Sequence, residues 1–127
     1  MTKRRNQSGQ AVAEFAAVIP LVVLFMVLLV EIGLIMVDQL AVERAAREAA
    51  RTAAVTASVA DIQHSARAAT ELSSSHMTVE IGKRPEANGM VRVTVRYDAA
   101  VIEPFTGAVL FRPQLHATAA MRVEDQP

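Results

Sequence analysis

A glycine and a glutamate near the start of the chain are the residues whose spacing could support chemistry. Gly9 is followed by Gln-Ala-Val-Ala and then by Glu14 and Phe15, where the apolar part of the chain begins. Cutting the peptide bond after Gly9 would create a free α-amino group on Gln10, one helical turn from Glu14. A cut at this point would therefore create an ion pair that the uncut chain lacks.

Glu14 needs an explanation because an apolar segment follows it. Carrying a carboxylate to the centre of a bilayer costs about 2–3 kcal/mol, and an acid in such a segment is a functional hypothesis by default. Two interpretations are open from the sequence. In the first, Glu14 lies at the headgroup level and its carboxylate reaches water. In the second, it pairs with a cation at the same depth, and the new amino group of Gln10 is the candidate.

Composition and spacing argue against several other classes of function. The chain has 127 residues with 13 basic and 13 acidic side chains, which gives no support for binding nucleic acid. It contains no cysteine, so it has no disulfide, thiol nucleophile or cysteine metal site. His64, His76 and His116 fall in three different predicted elements, and the sequence shows no phosphate loop or catalytic triad. We predict that the protein is not an enzyme and holds neither a cofactor nor a metal.

The apolar segment is long enough to be a transmembrane helix. No charged residue occurs from Phe15 to Val30, and only Glu31 interrupts the run before it ends at Val37. A helix from Phe15 to Val37 would be about 34 Å long, against a hydrocarbon core of about 30 Å. A secretory signal peptide has a shorter apolar region followed by a small-residue cleavage site. We therefore predict a retained anchor over residues 10–37.

Pro20 lies in the first half of this anchor. It lacks a backbone donor and should leave the carbonyl near Ala16 without its helical partner, which predicts a kink. Either a neighbouring helix satisfies that carbonyl or the bilayer tolerates a simple bend.

The charges on either side of the anchor are nearly balanced. The basic leader, residues 1–9, should be disordered before any processing. Three cations precede the anchor, Lys3, Arg4 and Arg5, and three follow it closely, Arg44, Arg47 and Arg51. Long C-terminal regions translocate largely regardless of charge. We therefore predict a cytoplasmic N-terminus and an exported domain at residues 38–127.

Two helical segments are predicted outside the membrane. Residues 38–55 are rich in alanine and contain opposite charges four positions apart, so the helix should continue as a stalk. Ser58 with Asp61 three residues later is typical of a capped start of a second, short helix that ends near Leu72. The three serines from Ser73 should form a loop.

The C-terminal part alternates with a period of two, which predicts three strands. The alternating segments are residues 77–81, 91–98 and 115–123. Asn88-Gly89 predicts a hairpin between the first two. The connection at residues 99–113 should be packed in part by Phe105 and Phe111 and contain a short helical turn. The fold class is therefore α+β, with a small antiparallel sheet whose apolar face packs on the stalk helix.

The motif around Gly9 resembles the processing site of type IV pilin-like precursors of the tight-adherence (Tad) pathway. In that group a prepilin peptidase cuts after a glycine, and the acid is fifth in the mature chain. Pro20, Glu31-Ile32-Gly33 and the stretch from Ala45 to Ala54 resemble TadE-like pseudopilins, the minor pilin subunits of that system. The resemblance covers residues 5–56. It departs from the family at Ile32, where an aromatic is expected, and at Ala50, where glycine is common.

This resemblance implies a structural, pilin-like subunit of the inner (cytoplasmic) membrane that enters the extracellular pilus after processing. The peptidase would remove residues 1–9 by cutting between Gly9 and Gln10, and Glu14 and Phe15 would serve peptidase recognition and subunit assembly. The implied partners are the prepilin peptidase, other pilin or pseudopilin subunits, the inner-membrane assembly platform and the lipid bilayer. The implied roles are pilus assembly and adhesion, with secretion as another possible role. The alternative is an unprocessed single-span membrane protein whose exported domain binds a ligand or partner.

Overall fold

One long helix, α1, extends from Arg5 to Val55. The structure is a computed structural model that describes residues 5–85, 88–103 and 107–124. The chain divides into an N-terminal unit, Met1–Leu34, and a C-terminal unit, Ile35–Pro127, and α1 contributes residues to both. The predicted helix that passes from the apolar segment into the alanine-rich segment is confirmed.

The N-terminal unit is helical from Arg5 onward, including Pro20. The expectation of a disordered leader is therefore wrong for residues 5–9, while residues 1–4 lie outside the described residues. The physical reason is that helix propagation adds one hydrogen bond for each residue fixed, once a nucleus exists. The leader contains no proline that would stop this propagation. The kink at Pro20 remains a prediction.

The second helix, α2 (Val59–Ala68), begins where its capping residue predicts. The Asp61 backbone N–H donates to Ser58 Oγ at 3.3 Å, which satisfies one of the first free donors of the helix. Ile62 and Ala66 are buried, so one face of α2 enters the core. The helix ends before Leu72, and a short 3-10 turn occupies Ser74–His76, within the segment predicted to be a loop.

Within the described residues, five strands follow the helices and form two sheets. They are β1 (Met77–Ile81), β2 (Met90–Asp98), β3 (Val101–Ile102), β4 (Val109–Phe111) and β5 (Gln114–Arg122). The larger sheet is antiparallel with the order β1-β2-β5, so the three predicted strands and the α+β class are confirmed. Asn88, in the connection between β1 and β2, has a φ of 70°, which suits the predicted Asn-Gly turn. Residues 86–87 of this connection lie outside the described residues.

The connection between β2 and β5 differs from the prediction. Instead of a helical turn it forms a small antiparallel hairpin, in which β3 pairs with β4. Phe111 is 56% exposed rather than packed, and Phe105 lies outside the described residues. The two strands have only two and three residues, which is too short for an alternating pattern to be recognised in the sequence.

The core of the C-terminal unit lies between α1 and the larger sheet. α1 contributes Val42, Ala45, Ala46, Ala49, Ala50 and Ala53, and β2 contributes Val91, Val93, Val95 and Tyr97. Alanine is small enough to bring the helix backbone close to the sheet, and the larger valines fill the space between them. The predicted packing of the sheet on the stalk helix is confirmed.

Enlarging a side chain at this interface should destabilise the fold. Ala49 is fully buried, so we expect Ala49→Leu to lower the free energy of unfolding by about 1–3 kcal/mol through overpacking. The near-ultraviolet circular dichroism of Tyr97, the chain's single tyrosine, follows thermal unfolding of the core in detergent micelles. Ala60→Leu adds the same volume at an exposed position of α2 and should leave the transition unchanged. Equal transitions in the two variants would contradict close packing at Ala49.

Candidate processing and membrane-insertion site

The residues of the predicted processing site share one end of α1. Gln10 Nε2 donates a hydrogen bond to Glu14 Oε1 at 3.0 Å, and both residues are exposed. Side chains on a helix lean toward its N-terminus, so Glu14 reaches back one turn toward Gln10. Phe15, next along the chain, is 69% exposed. The structure thus brings Gln10 and Glu14 together through their side chains in the uncut chain.

Gly9 has no steric reason to be glycine in this fold. A Cβ added at Gly9 would meet no atom within 4 Å, and its φ lies outside the range that favours glycine. Glycine within a helix costs about 1 kcal/mol relative to alanine. Gly33 is equally open. Packing of the described chain therefore does not explain why Gly9 is present.

The part of α1 that follows this site has an apolar surface. The most apolar 18-residue window of α1 has a mean hydropathy of 2.9 and no buried residue. Phe25, Met26 and Leu28 are each more than half exposed. By length and composition, α1 is able to cross a membrane. In a soluble protein, an exposed apolar surface of this size would be a liability for aggregation.

The histidines of the C-terminal unit lie on three different elements. His64 is exposed on α2, His116 is exposed on β5, and His76 is 3.1 Å from Arg112 Nη1. Glu80 forms an ion pair with Arg96 at 3.3 Å across the sheet. In the part of the chain that the structure describes, no three histidine or acidic side chains are grouped to hold a metal.

Two carboxyl groups on the later part of α1 are perturbed by their surroundings. Burial raises the pKa of the Asp38 carboxyl, just past the end of the apolar segment. A hydrogen bond from Arg51 lowers the pKa of Glu48, and the two side chains are 2.6 Å apart. Both members of this pair are exposed, so it stabilises the helix only slightly.

Gln39 and Arg84 have contacts that no local sequence pattern predicts. Gln39 Nε2 donates to the backbone carbonyl of His116 at 3.1 Å, which fixes the first half of β5 to the start of the alanine-rich segment. Arg84 Nη1 donates to the carbonyl of Ala53 at 2.8 Å, at the end of α1. These partners are 77 and 31 residues apart in the sequence. Only a general rule could have suggested the Arg84 contact: the last carbonyl groups of a helix lack partners within the helix and need hydrogen-bond donors from elsewhere.

A long apolar helix followed by a small sheet packed on its alanine-rich part is an α+β arrangement, and the helix is long and apolar enough to cross a membrane. The comparison with protein families then identifies the N-terminal part more closely. The family described as TadE-like protein matches residues 9–51, which confirms the resemblance seen in this part of the sequence. Searches of curated proteins and of solved structures give no match.

The open space around Gly9 leads to a prediction about the helix itself. Gly9→Ala should preserve α1 and make its first turns more stable, slowing amide hydrogen exchange there by up to about fivefold. Hydrogen exchange read by mass spectrometry of the full chain in micelles measures the effect. Gly33→Ala is the matched control, since it is equally open and should leave exchange near Gly9 unchanged. Faster exchange in Gly9→Ala would show that the fold does require glycine there.

Proposed function

We propose that this chain is a TadE-like minor pseudopilin, cut by a prepilin peptidase between Gly9 and Gln10. The observation that carries the proposal is the TadE-like match, which begins at Gly9 and includes Glu14 at the fifth position after it. The exposed apolar surface of α1 supports the proposal. In the membrane this surface would contact lipid, and in the fibre it would contact neighbouring subunits, so an apolar surface suits both stages.

The steric freedom at Gly9 supports recognition by a peptidase as the reason for glycine. No neighbouring atom excludes a Cβ at Gly9, yet glycine destabilises the helix by about 1 kcal/mol relative to alanine. Glycine at this position is explained if an enzyme must bring its active site close to the backbone. A residue without a side chain leaves the peptide bond accessible.

Glu14 has the role of a charge partner in this proposal. In the uncut chain its carboxylate accepts from the neutral amide of Gln10, which leaves the negative charge uncancelled. Cleavage would add a positive α-amino group to the same residue, one turn away. That group, in the same chain or in a neighbour, would then cancel the charge that lipid penalises.

The proposed subunit is structural and not enzymatic. It would insert with the leader in the cytoplasm and the C-terminal unit exported from the cytoplasmic membrane. The inner-membrane assembly platform would then add it to the Tad pilus or to the pilus base, where it would take part in adhesion.

Cleavage can be tested by the intact mass of the protein. From native membranes or pili, we expect a mass that lacks residues 1–9, and the full mass from a strain without the prepilin peptidase. Mass is preferable to stepwise sequencing, since a new N-terminal glutamine can cyclise and block that reaction. Gly33→Ala should be cut normally, whereas Gly9→Ala should be cut much more slowly. If the leader persists in both strains, the protein is an unprocessed single-span membrane protein whose exported domain binds a ligand or partner.

Assembly can be tested at Glu14 separately from cleavage. We expect Glu14→Ala to insert in the membrane but to be missing from the sheared pilus fraction, measured by quantitative immunoblotting of both fractions. Glu14→Gln retains hydrogen bonding to Gln10 while removing the charge, so it should fail in the same way if charge pairing matters. Glu31→Gln removes another acid of the apolar segment and is the control. Normal incorporation of both Glu14 variants would defeat the proposed role.

A further inference from the structure

The proposed cut after Gly9 would place a glutamine, Gln10, at the N-terminus, where its side-chain amide can react with the new amino group. The α-amino nitrogen attacks the side-chain carbonyl carbon Cδ, and a bond forms between these two atoms. The bond from Cδ to Nε2 breaks, and Nε2 leaves as ammonia with the proton that the attacking nitrogen loses. The product is a cyclic lactam without a positive charge. Gln10 would therefore be a modification site in the cut chain, and its modification would remove the cation proposed to pair with Glu14.

Ring closure requires the side chain of Gln10 to fold back onto the nitrogen of its own backbone. In a helix, backbone N–H groups point toward the N-terminus, whereas a residue four positions later lies about 6 Å further along the axis. The structure directs the amide of Gln10 to that next turn, because Nε2 donates to Glu14 Oε1 at 3.0 Å. The hydrogen bond must therefore break before Cδ can approach the nitrogen.

This contact depends only on the helix that contains both residues. Gln10 and Glu14 lie four positions apart on α1 and belong to the N-terminal unit. Side chains at this spacing are neighbours on a helix surface, and pairs of an amide with an acid stabilise isolated helices. Both residues are exposed, so water competes for the hydrogen bond and its effect on a reaction rate should be modest. The charge of Glu14 adds a second effect.

We propose that Glu14 slows the cyclisation of Gln10 in the cut chain and so preserves the N-terminal charge. This inference rests on the proposed cut after Gly9. The hydrogen bond keeps the amide extended along the helix. The nearby carboxylate also favours the protonated amino group, which has no lone pair for the attack on Cδ. A carboxylate offers about four acceptor positions on its two oxygens, so Glu14 can accept from the amide and from the ammonium group together.

A carboxylate beside a reacting amide could also act in the opposite sense, as a catalyst of ring closure. It would then take a proton from the amino group and give it to Nε2 as that nitrogen leaves. In the structure Glu14 accepts a hydrogen bond from Nε2, and an ionised carboxylate that accepts there has no proton to give. The observed geometry therefore favours slowing of the reaction, and the two roles predict opposite effects of removing Glu14.

The rate of cyclisation can be measured on the chain of residues 10–127 in detergent micelles. Replacing residues 1–9 with a tag whose specific protease leaves no residue of its own gives this chain without the prepilin peptidase. Intact mass then follows the loss of one ammonia with time. Glu14→Ala should cyclise at least about threefold faster than the wild type, because the amide is released and the amino group is less protonated. The substitution is at an exposed helical position, where alanine is the best helix former.

Two further variants separate the contributions of Glu14. Glu14→Gln keeps an acceptor for the amide but no charge, so its rate should lie between those of the wild type and Glu14→Ala. Glu31→Ala removes an acid further along α1 and should cyclise at the wild-type rate.

The failure of this inference can be distinguished from the failure of the proposed cut. Equal rates in the wild type and Glu14→Ala would overturn the inference and leave the cut standing, and a slower rate in Glu14→Ala would overturn it in favour of catalysis. The native protein is the separate test: we expect a chain that lacks residues 1–9 and has not lost ammonia. A native chain that is cut but fully cyclised would contradict the inference alone. A native chain that keeps residues 1–9 would overturn the proposed function, and this inference with it.

Discussion

The close packing of an alanine face of α1 on the valines of β2 is the interaction on which the rest of the C-terminal unit depends. Val93 and Ala49 are both fully buried, and neither has a polar group to satisfy. Small residues on the helix let the backbone approach, and branched residues on the strand fill the gap. Hydrogen bonds at the two ends, from Gln39 and from Arg84, then fix where along the helix the sheet lies. Packing supplies the attraction, and these polar contacts set the register.

The side chains of α1 differ in size and polarity between its N-terminal and C-terminal parts. Up to Val37 the exposed residues are mostly large and apolar, which suits contact with lipid or with neighbouring apolar helices. From Ala41 onward, alanine predominates on the buried face, and charged residues such as Arg47 and Arg51 occupy the exposed one. Both sequences favour helix, so secondary structure does not change at the boundary. What changes is the surface of the helix: it is apolar and exposed before Val37, whereas after Ala41 one face packs on the sheet and the other carries charged residues.

The parts of the fold with regular periodicity could be predicted from the sequence. Alternation over residues 91–98 predicted both the strand β2 and its buried face, and Ser58 predicted the start of α2. The β3–β4 hairpin could not be predicted, because its strands have only two and three residues and every residue of β4 is exposed, so neither strand shows a repeated alternation. The inner face of β5 is only half-buried at Ala117 and Ala119, which reflects its place at the sheet edge and is invisible to pattern alone. Among the candidate site residues, a spacing of four on one helix explains why the side chains of Gln10 and Glu14 meet, while the ion pair with a new amino group stays a prediction.

The contact between Gln10 and Glu14 also bears on when a charge could be cancelled in the proposed pathway. A neutral amide at 3.0 Å satisfies one lone pair of the carboxylate but cannot change its net charge. The uncut chain would therefore keep Glu14 near water, since an uncompensated carboxylate is costly in lipid. Once cleavage adds an amino group to Gln10, the same turn of helix holds both signs and can enter an apolar surrounding at lower cost. In the proposed pathway, cleavage would allow the start of α1 to be buried among other subunits, so assembly would follow processing.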